Sequence, residues 1–330
     1  MTGDGKIEIR DVRPVVIRIV AATATALAFC LAVYLLLEAV RPDSGLIGFS
    51  FLLVLPAAVS AFVAYVADPW RKRSLGAYLL VPLWILLAVI PFSIIFLREG
   101  TICVVILSPL WMASGMIGSG ITYWARHKIR DGKKYCLTMF AIPLVSMQVE
   151  PMVILPVSHF TVEREIIVNA TPAEIWPMLE GIPDVRSGEG AWNFSQDIIG
   201  VPRPVGATLV GENVGADRMA KWTYGINFRE RITQWQPNHS ISWKFIFDNL
   251  DGWEFTDRHL LPSTHYYRVT DGGYTMTPIN AAQTQVKIHT SYWVKTPING
   301  YSALWGEVFV GDLENNLLAL IKHRAENNGS

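Results

Sequence analysis

The sequence predicts a chain in two parts: a membrane bundle of α-helices, followed by an α+β domain in which a curved antiparallel sheet surrounds a long C-terminal helix. Three observations predict this fold class. Five apolar stretches separated by short loops lie between residues 15 and 157. After residue 158, apolar residues alternate with a period of two, which is typical of strands with one buried face. The last segment, residues 301–324, returns to helical spacing.

Charge is distributed unevenly along the 330 residues. The chain has 28 Lys+Arg and 28 Asp+Glu, but residues 1–157 carry 14 basic and 9 acidic side chains while the remainder carries 14 and 19. An acidic second half without a basic face argues against a nucleic-acid partner. All three cysteines lie in the first half, so the second half can build neither a disulfide nor a thiolate metal site. We expect no metal and no cofactor.

The apolar half supplies four clear spans and a weaker fifth. A helix crossing the hydrocarbon core needs roughly 20 apolar residues, and the stretches lie at about 15–37, 46–67, 77–97, 101–124 and 136–157. Prolines inside these stretches are compatible with helices packed in a bundle. The fourth stretch carries small residues that favour close helix contact, and packing is the preferred interpretation of all of them: Ser114, Gly115, Gly118, Ser119 and Gly120.

Basic loops predict the orientation of the bundle. They precede the first stretch, follow the second at residues 71–73 and follow the fourth at residues 126–134, while the other two loops are nearly neutral. The positive-inside rule therefore places the N-terminus and these loops in the cytoplasm.

The fifth stretch decides on which side the C-terminal domain lies. It is interrupted by Pro143, Glu150, Pro151 and Pro156, so its uninterrupted core is only about 13 residues, shorter than a normal span. If it crosses the membrane, the domain is extracytoplasmic; if it lies along the interface, the domain is cytoplasmic. The basic run before it favours crossing. Glu150 then marks the interfacial end of the span, although a functional intramembrane carboxylate is the alternative.

The second half reads as seven strands and two helices. A short helix is expected after Thr171, with Pro172 in its first turn. A bend is expected at Asp271-Gly272-Gly273, and the final helix carries apolar residues at Leu304, Val308, Leu313, Leu317, Leu320 and Ile321. The strands are expected at 161–168, 207–212, 218–224, 227–235, 241–247, 266–278 and 286–294. Only the last helix is long enough to cover such a sheet, and a curved sheet around one helix leaves a cavity between them.

Several segments of this half carry a family resemblance. They are Val168-Asn-Ala-Thr-Pro-Ala-Glu-Ile-Trp176, Gly215-Ala-Asp-Arg218, Arg229-Glu-Arg-Ile-Thr233, Trp235-Gln-Pro-Asn238 and Ile241-Ser-Trp243. In order and spacing they resemble the START-like superfamily (SRPBCC, the polyketide cyclase/dehydrase and lipid-transport group), over about residues 160–325, and in particular its membrane-anchored bacterial members. The resemblance implies a helix-grip fold with a deep apolar cavity. It implies no particular reaction, because the superfamily includes carriers, receptors and enzymes.

Aromatic residues supply the candidate binding surface, since eight of the twelve tryptophans lie in this half. Aromatic faces suit a flat or lipidic ligand, whereas ordinary core packing is the alternative for any one ring. The candidate cavity residues are Trp222, Tyr224, Trp243, Phe245, Phe247, Tyr292, Leu313 and Leu317. The loop 181–206 is too long for a simple connector. It is a candidate lid or membrane contact through Trp192, Phe194, Ile198 and Ile199, unless these residues pack back onto the domain.

Charged residues give weaker candidates. Asp257, His259 and His265 have residue types suited to acid/base catalysis, but their spacing matches no known catalytic or metal motif, and a solvated loop is the preferred interpretation. Arginines of neighbouring strands could hold an anionic group inside the cavity, while cross-strand pairing with Glu212 or Glu230 is the favoured alternative. These arginines are Arg218, Arg229 and Arg231.

These observations predict a membrane-tethered domain that binds a lipid or another hydrophobic small molecule for transport, sensing or sequestration. A cyclase/dehydratase-type enzyme acting on a lipophilic substrate is one alternative. Assembly with a partner membrane protein is another. The chain is expected in a membrane, and its resemblance to anchored bacterial proteins implies the bacterial cytoplasmic (inner) membrane.

Overall fold

The computed structural model describes residues 12–41, 45–93, 95, 101–126, 128–186, 188–253 and 261–327. The chain divides into two compact units. One consists of Met1–Arg98 with Val104–Ile154, and the other of Glu99–Cys103 with Leu155–Ser330.

The first unit is helical. Among the described residues, four helices are long and apolar enough to cross a membrane: Val16–Val40, Ser50–Ala67, Leu75–Phe92 and Thr101–Ala125. The second of these begins with a π-helical turn at Ser50–Val54, and the third is interrupted after Leu79. The α-helices are α1 (Val12–Val40), α2 (Leu55–Ala67), α3 (Leu75–Leu79), α4 (Val81–Phe92), α5 (Thr101–Ala125) and α6 (Gly132–Val149).

Helix α5 lies parallel to α2 along a seam of small residues. Ser114 Oγ donates to Leu53 O near the start of the seam, and Arg126 Nη1 donates to Tyr65 O at 2.8 Å near its end. Gly118 lies between them, and a Cβ at this position would collide with the backbone of α2. The small residues of α5 therefore permit the close approach of two helix backbones.

Helix α6 lies antiparallel to α2 over its whole length. The Tyr135 and Tyr65 ring centroids are 4.9 Å apart at one end, and Ser50 N donates to Glu150 Oε2 at 3.3 Å at the other. Asp131 caps the helix by accepting hydrogen bonds from the backbone N–H groups of the next turn. The 18 residues of α6 are about 27 Å long at 1.5 Å per residue, so α6 extends as far across the bundle as the segment from Ser50 to Ala67.

The second unit contains a seven-stranded antiparallel sheet in the order β1-β7-β6-β5-β4-β3-β2. Each predicted strand is present. The strands are β1 (Ser158–Val168), β2 (Pro204–Val210), β3 (Asp217–Trp222), β4 (Asn227–Gln236), β5 (Ser240–Ile246), β6 (Tyr267–Asn280) and β7 (Gln283–Val294). The predicted bend in β6 is a register shift between Val269 and Asp271.

The α-helices of this unit, in the part of the chain that the structure describes, are α7 (Pro172–Glu180), α8 (Phe194–Asp197) and α9 (Asn299–Asn327). The predicted cap of α7 is confirmed as a capping box between Thr171 and Glu174. Helix α9 packs against β1 and β7 and also contacts α7 and α8. A long C-terminal helix held on one face of an antiparallel sheet is the helix-grip arrangement.

The expected apolar face of α9 was wrong in its first half. Leu304 is 67% exposed and Val308 is 39% exposed. The sheet-facing side instead carries Gly306 and Gly311, because side chains rising from the sheet fill this space. A Cβ at Gly306 would meet the Tyr292 hydroxyl, and one at Gly311 would meet the Arg164 guanidinium.

Candidate functional site

Polar side chains form a row across the middle of the helix-facing side of the sheet. The pairing places Arg218 of β3 opposite Glu230 of β4, and Trp243 of β5 opposite Gly272 of β6, whose other neighbour is Thr290 of β7. A Cβ at Gly272 would lie 3.2 Å from Trp243 Nε1, so the glycine leaves room for the indole edge. Period-two alternation thus directs polar groups into an otherwise apolar interior.

Arg218 and Glu230 form a buried ion pair in this row. Each residue is 5% exposed, and Arg218 Nη1 donates to Glu230 Oε2. The guanidinium carbon also lies 5.5 Å from the ring centroid of Trp243. Burial raises the pKa of Glu230, and the positive charge of Arg218 opposes this shift.

One N–H donor of this pair and one next to it make no hydrogen bond with any residue that the structure describes. They are Arg218 Nε and Trp243 Nε1. Leaving a buried donor unsatisfied costs about 1–3 kcal/mol. Both groups are therefore available to hydrogen-bond a molecule that enters the interior.

Glu314 of α9 faces the same region from the helix side. It is 1% exposed, and neither carboxyl oxygen meets hydrogen-bond geometry with any described residue, although Thr290 lies beside it. Burial raises the pKa of Glu314 to about 8. At neutral pH this side chain is mostly a neutral carboxylic acid, which can both donate and accept a hydrogen bond.

Tyr274 connects the two sets of groups. It is 1% exposed, and the charges of Arg218, Glu230 and Glu314 act electrostatically on its hydroxyl. Burial raises the pKa of Tyr274. The ion pair and the carboxyl of α9 thus belong to one polar neighbourhood inside the domain.

An aromatic cluster lies at one end of the same face, near the β3–β4 turn and the segment after β5. Phe228 is 5% exposed at its centre, whereas the rings packed around it are only partly buried: Trp222, Phe245, Phe247 and Trp253. Phe245 and Phe247 are stacked with ring centroids 6.2 Å apart. Since a closed core buries such rings fully, the partial exposure indicates an aromatic surface that is incompletely covered.

The predicted cavity residues fall into several groups. Trp222, Phe245 and Phe247 meet in the aromatic cluster. Trp243 and Leu317 lie in the main core, and Tyr292 packs with Val162 and Val294 in a separate cluster. Leu313 is half-buried on α9, and Tyr224 is 52% exposed in the turn between β3 and β4. Leu313 and Tyr224 therefore lie outside the three clusters.

The segment around α8 is fixed to α9 by polar contacts. Ser195 Oγ donates to Asp312 Oδ2 at 2.6 Å, and Asn316 Nδ2 donates to Gln196 Oε1 at 2.9 Å. Gly190 adopts a φ of +92°, and a Cβ there would collide with the Asn316 side chain, so glycine is required on both grounds.

Apolar side chains of this segment point outward around that polar anchor. Trp192 is 72% exposed, Ile198 is 61% exposed and Phe194 is 39% exposed, whereas Ile199 is buried at 7%. The four predicted lid residues therefore separate into three outward-facing side chains and one that packs inward.

The charged candidates occupy different places. Asp257 and His259 lie outside the described residues, and His265 is exposed before β6. Arg229 and Arg231 lie on the outer face, where both pair with Asp217. Only Arg218 of the three arginines faces the interior. Its partner is the predicted Glu230, but the pair is buried and not on the surface.

An open cleft of about 400 Å³ lies at the opposite end of the sheet. It is formed by the end of α7 with the β2–β3 and β4–β5 turns, and its walls include Trp176, Trp235, Glu180 and Glu212. Trp176 Nε1 already donates to Glu180 Oε1 at 2.6 Å. This cleft is separate from the polar row and contains none of the predicted site residues.

Comparisons with known proteins give structural likenesses only. No protein-family model and no curated protein sequence matches the chain. A norcoclaurine synthase point mutant from Thalictrum flavum, solved with a transition-state analogue, is 15% identical and has a TM-score of 0.35, covering 53% of this chain and 99% of its own. An aromatase/cyclase from Streptomyces sp. R1128 is 13% identical with a TM-score of 0.33, covering 52% and 97%. A START superfamily protein from Mycobacterium smegmatis is 13% identical with a TM-score of 0.34, covering 52% and 99%.

Proposed function

We propose that this chain is a membrane-tethered binding protein whose helix-grip domain takes up a lipid or another hydrophobic small molecule. The observation that carries the proposal is the aromatic cluster around Phe228, whose outer rings remain partly exposed on the interior side of the sheet. A ligand that covers these rings removes apolar surface from water, which stabilises the complex by about 25 cal/mol per Å². The polar row then supplies the few directional contacts typical of a small-molecule site.

The membrane half serves as a tether in this proposal. Four helices have the length and composition of spans, and α6 extends antiparallel to the second of them from Tyr135 to Glu150. We propose that α6 makes a fifth crossing in addition to these four, which would put the C-terminal domain on the side opposite the basic loops, extracytoplasmic by the positive-inside rule. A tether of this kind keeps the domain near its supply of lipid.

The α8 segment is the proposed lid or membrane contact. Trp192, Phe194 and Ile198 expose apolar surface, while Ser195 and Gln196 hold the segment on α9. Polar anchoring beneath an apolar outer surface suits a segment that touches lipid without leaving the domain.

Native mass spectrometry of the purified full chain, followed by lipid extraction, tests the proposed function. A bound molecule of defined mass is expected, and its occupancy should fall in Phe245→Ala and Phe247→Ala. The matched control is Trp293→Ala, which alters an aromatic residue of the outer face. Two outcomes would contradict the proposal. One is a loss of occupancy in the control variant alone, and the other is a full chain that carries no molecule and binds no hydrophobic probe.

A further inference from the structure

The unpartnered polar groups of the interior converge on one place. Trp243 Nε1 lies against Gly272, and Gly272 pairs directly with Thr290. Thr290 in turn lies beside Glu314. Residues directly opposite one another on antiparallel strands are about 4.5–5.5 Å apart, so the indole N–H and the carboxyl of α9 approach the same pair of strand positions from two sides.

The charges around this place are already compensated. Arg218 is paired with Glu230, and Arg164 contacts Glu307 at 2.7 Å. The Thr290 hydroxyl lies beside Glu314 and the positive charge of Arg164 acts on it, but neither carboxyl oxygen makes a hydrogen bond among the described residues. An ionised Glu314 would therefore have no cation paired with it, and an unpaired buried charge is strongly unfavourable. The raised pKa of Glu314 agrees with a neutral carboxyl. The net charge of a charged ligand bound here would therefore have no opposite charge to compensate it.

We propose that Glu314 determines specificity, and that with Trp243 it binds the uncharged hydroxyl or carbonyl group of an amphipathic ligand. Trp243 Nε1 donates to the ligand oxygen, and Glu314 donates to it or accepts from it. This inference rests on the proposed function and narrows its ligand class to neutral oxygenated lipids, because a carboxylate or an ammonium head group would enter without a counter-charge.

Three fluorescent probes with the same 16-carbon chain test this inference: a primary alcohol, the matching fatty acid and the matching amine. Binding is measured at pH 7 to the full chain in detergent, with the signal of empty micelles subtracted. The alcohol should bind about tenfold more tightly than the acid or the amine, which corresponds to about 1.4 kcal/mol. Glu314→Leu should remove this preference, and Glu314→Gln, which keeps a neutral hydrogen-bonding group, should retain it.

Two further variants complete the design. Trp243→Phe keeps an aromatic ring but removes the N–H donor, and it should weaken binding of the alcohol even if Glu314→Leu does not fold. Glu165→Leu changes an exposed carboxylate on the outer face of β1 and should have no effect.

The outcomes separate the two proposals. An alcohol preference unchanged in Glu314→Leu and Trp243→Phe would overturn the inference and leave the binding function intact. Tighter binding of the amine, lost in Glu314→Gln, would show an ionised Glu314 and overturn it as well. If the wild type bound none of the probes and carried no native molecule, the proposed function would fall, and the inference with it.

Discussion

Replacing Arg218 with methionine should destabilise the C-terminal domain strongly. Both side chains of the Arg218–Glu230 pair are 6% exposed, and breaking a buried pair typically costs about 3–5 kcal/mol because the remaining charge loses its partner. Glu230 can take up a proton, since burial already raises its pKa, and this places the expected cost near 3 kcal/mol, the lower end of that range. The double variant Arg218→Met with Glu230→Leu should recover most of the loss, because it leaves no buried charge.

Thermal unfolding of the full chain, followed by tryptophan fluorescence, measures this effect. Eight of the twelve tryptophans lie after residue 157, so the signal reports mainly on the C-terminal domain. In a domain of this size, 1 kcal/mol shifts the midpoint by about 2–4 °C, so Arg218→Met should lower it by about 6–12 °C. The control is Arg231→Met, which breaks a pair whose arginine side chain is 42% exposed and should cost less than about 1 kcal/mol. Equal shifts in the two single variants would refute a buried, energetically coupled pair.

Four further outcomes are expected. The free energy of unfolding of the domain should fall by up to about 1.4 kcal/mol per pH unit between about pH 5 and pH 8. The cause is Glu314, whose pKa in the folded domain is raised to about 8: its stabilising contribution is complete below the pKa of the unfolded chain and is lost as the pH approaches the folded pKa. Urea unfolding should show a flatter slope in Glu314→Gln, and an unchanged slope would contradict this account. Phe245→Ala should cost less than Phe228→Ala in the same melts, since only the buried Phe228 ring should reach the 3–5 kcal/mol of a fully packed site; equal costs would indicate a closed core. A fragment of residues 158–330 should fold as a monomer, as circular dichroism and size-exclusion chromatography can establish, because its sheet and long helix form a complete layer pair; persistent aggregation would count against this. A reporter fused after residue 330 should be active only in its extracytoplasmic form, with a fusion at residue 130 as the cytoplasmic control; the reverse result would place α6 along the interface.

Much of the fold was predictable because local patterns and burial agree. The sequence predicted each of the strands that the structure describes, and period-two alternation was clearest in β5 and β7, where one strand face is buried against apolar neighbours. The cap at Thr171 followed from side-chain chemistry that needs no tertiary information. Apolar length predicted the four described helices that are long and apolar enough to cross a membrane.

The site was less predictable, because its groups come from the sheet and from α9, which face each other across the interior. Glu314 follows Leu313 in the sequence and resembles an ordinary polar position of an amphipathic helix. Its burial depends on which side of α9 faces the sheet, and that side is set by Tyr292 and Arg164 rising towards two helix glycines. The spacing of apolar residues along α9 cannot predict which side chains of β1 and β7 this helix contacts. The same cause explains why Leu304 and Val308 were wrongly assigned to the packed face.

The polar row lies in the interior of the domain, where a sheet that served only stability would carry apolar side chains. Such side chains would be expected there because replacing a buried ion pair by well-packed apolar residues is often neutral or stabilising. The domain instead places Arg218, Glu230 and Glu314 in one neighbourhood and leaves donors on Arg218 and Trp243 unused among the described residues. The unpaired donors cost stability, and a buried ion pair adds little over apolar packing. Together these groups provide hydrogen-bonding partners next to partly exposed aromatic rings. The proposed binding function would use both sets of groups, whereas packing alone gives no role to the unpaired donors.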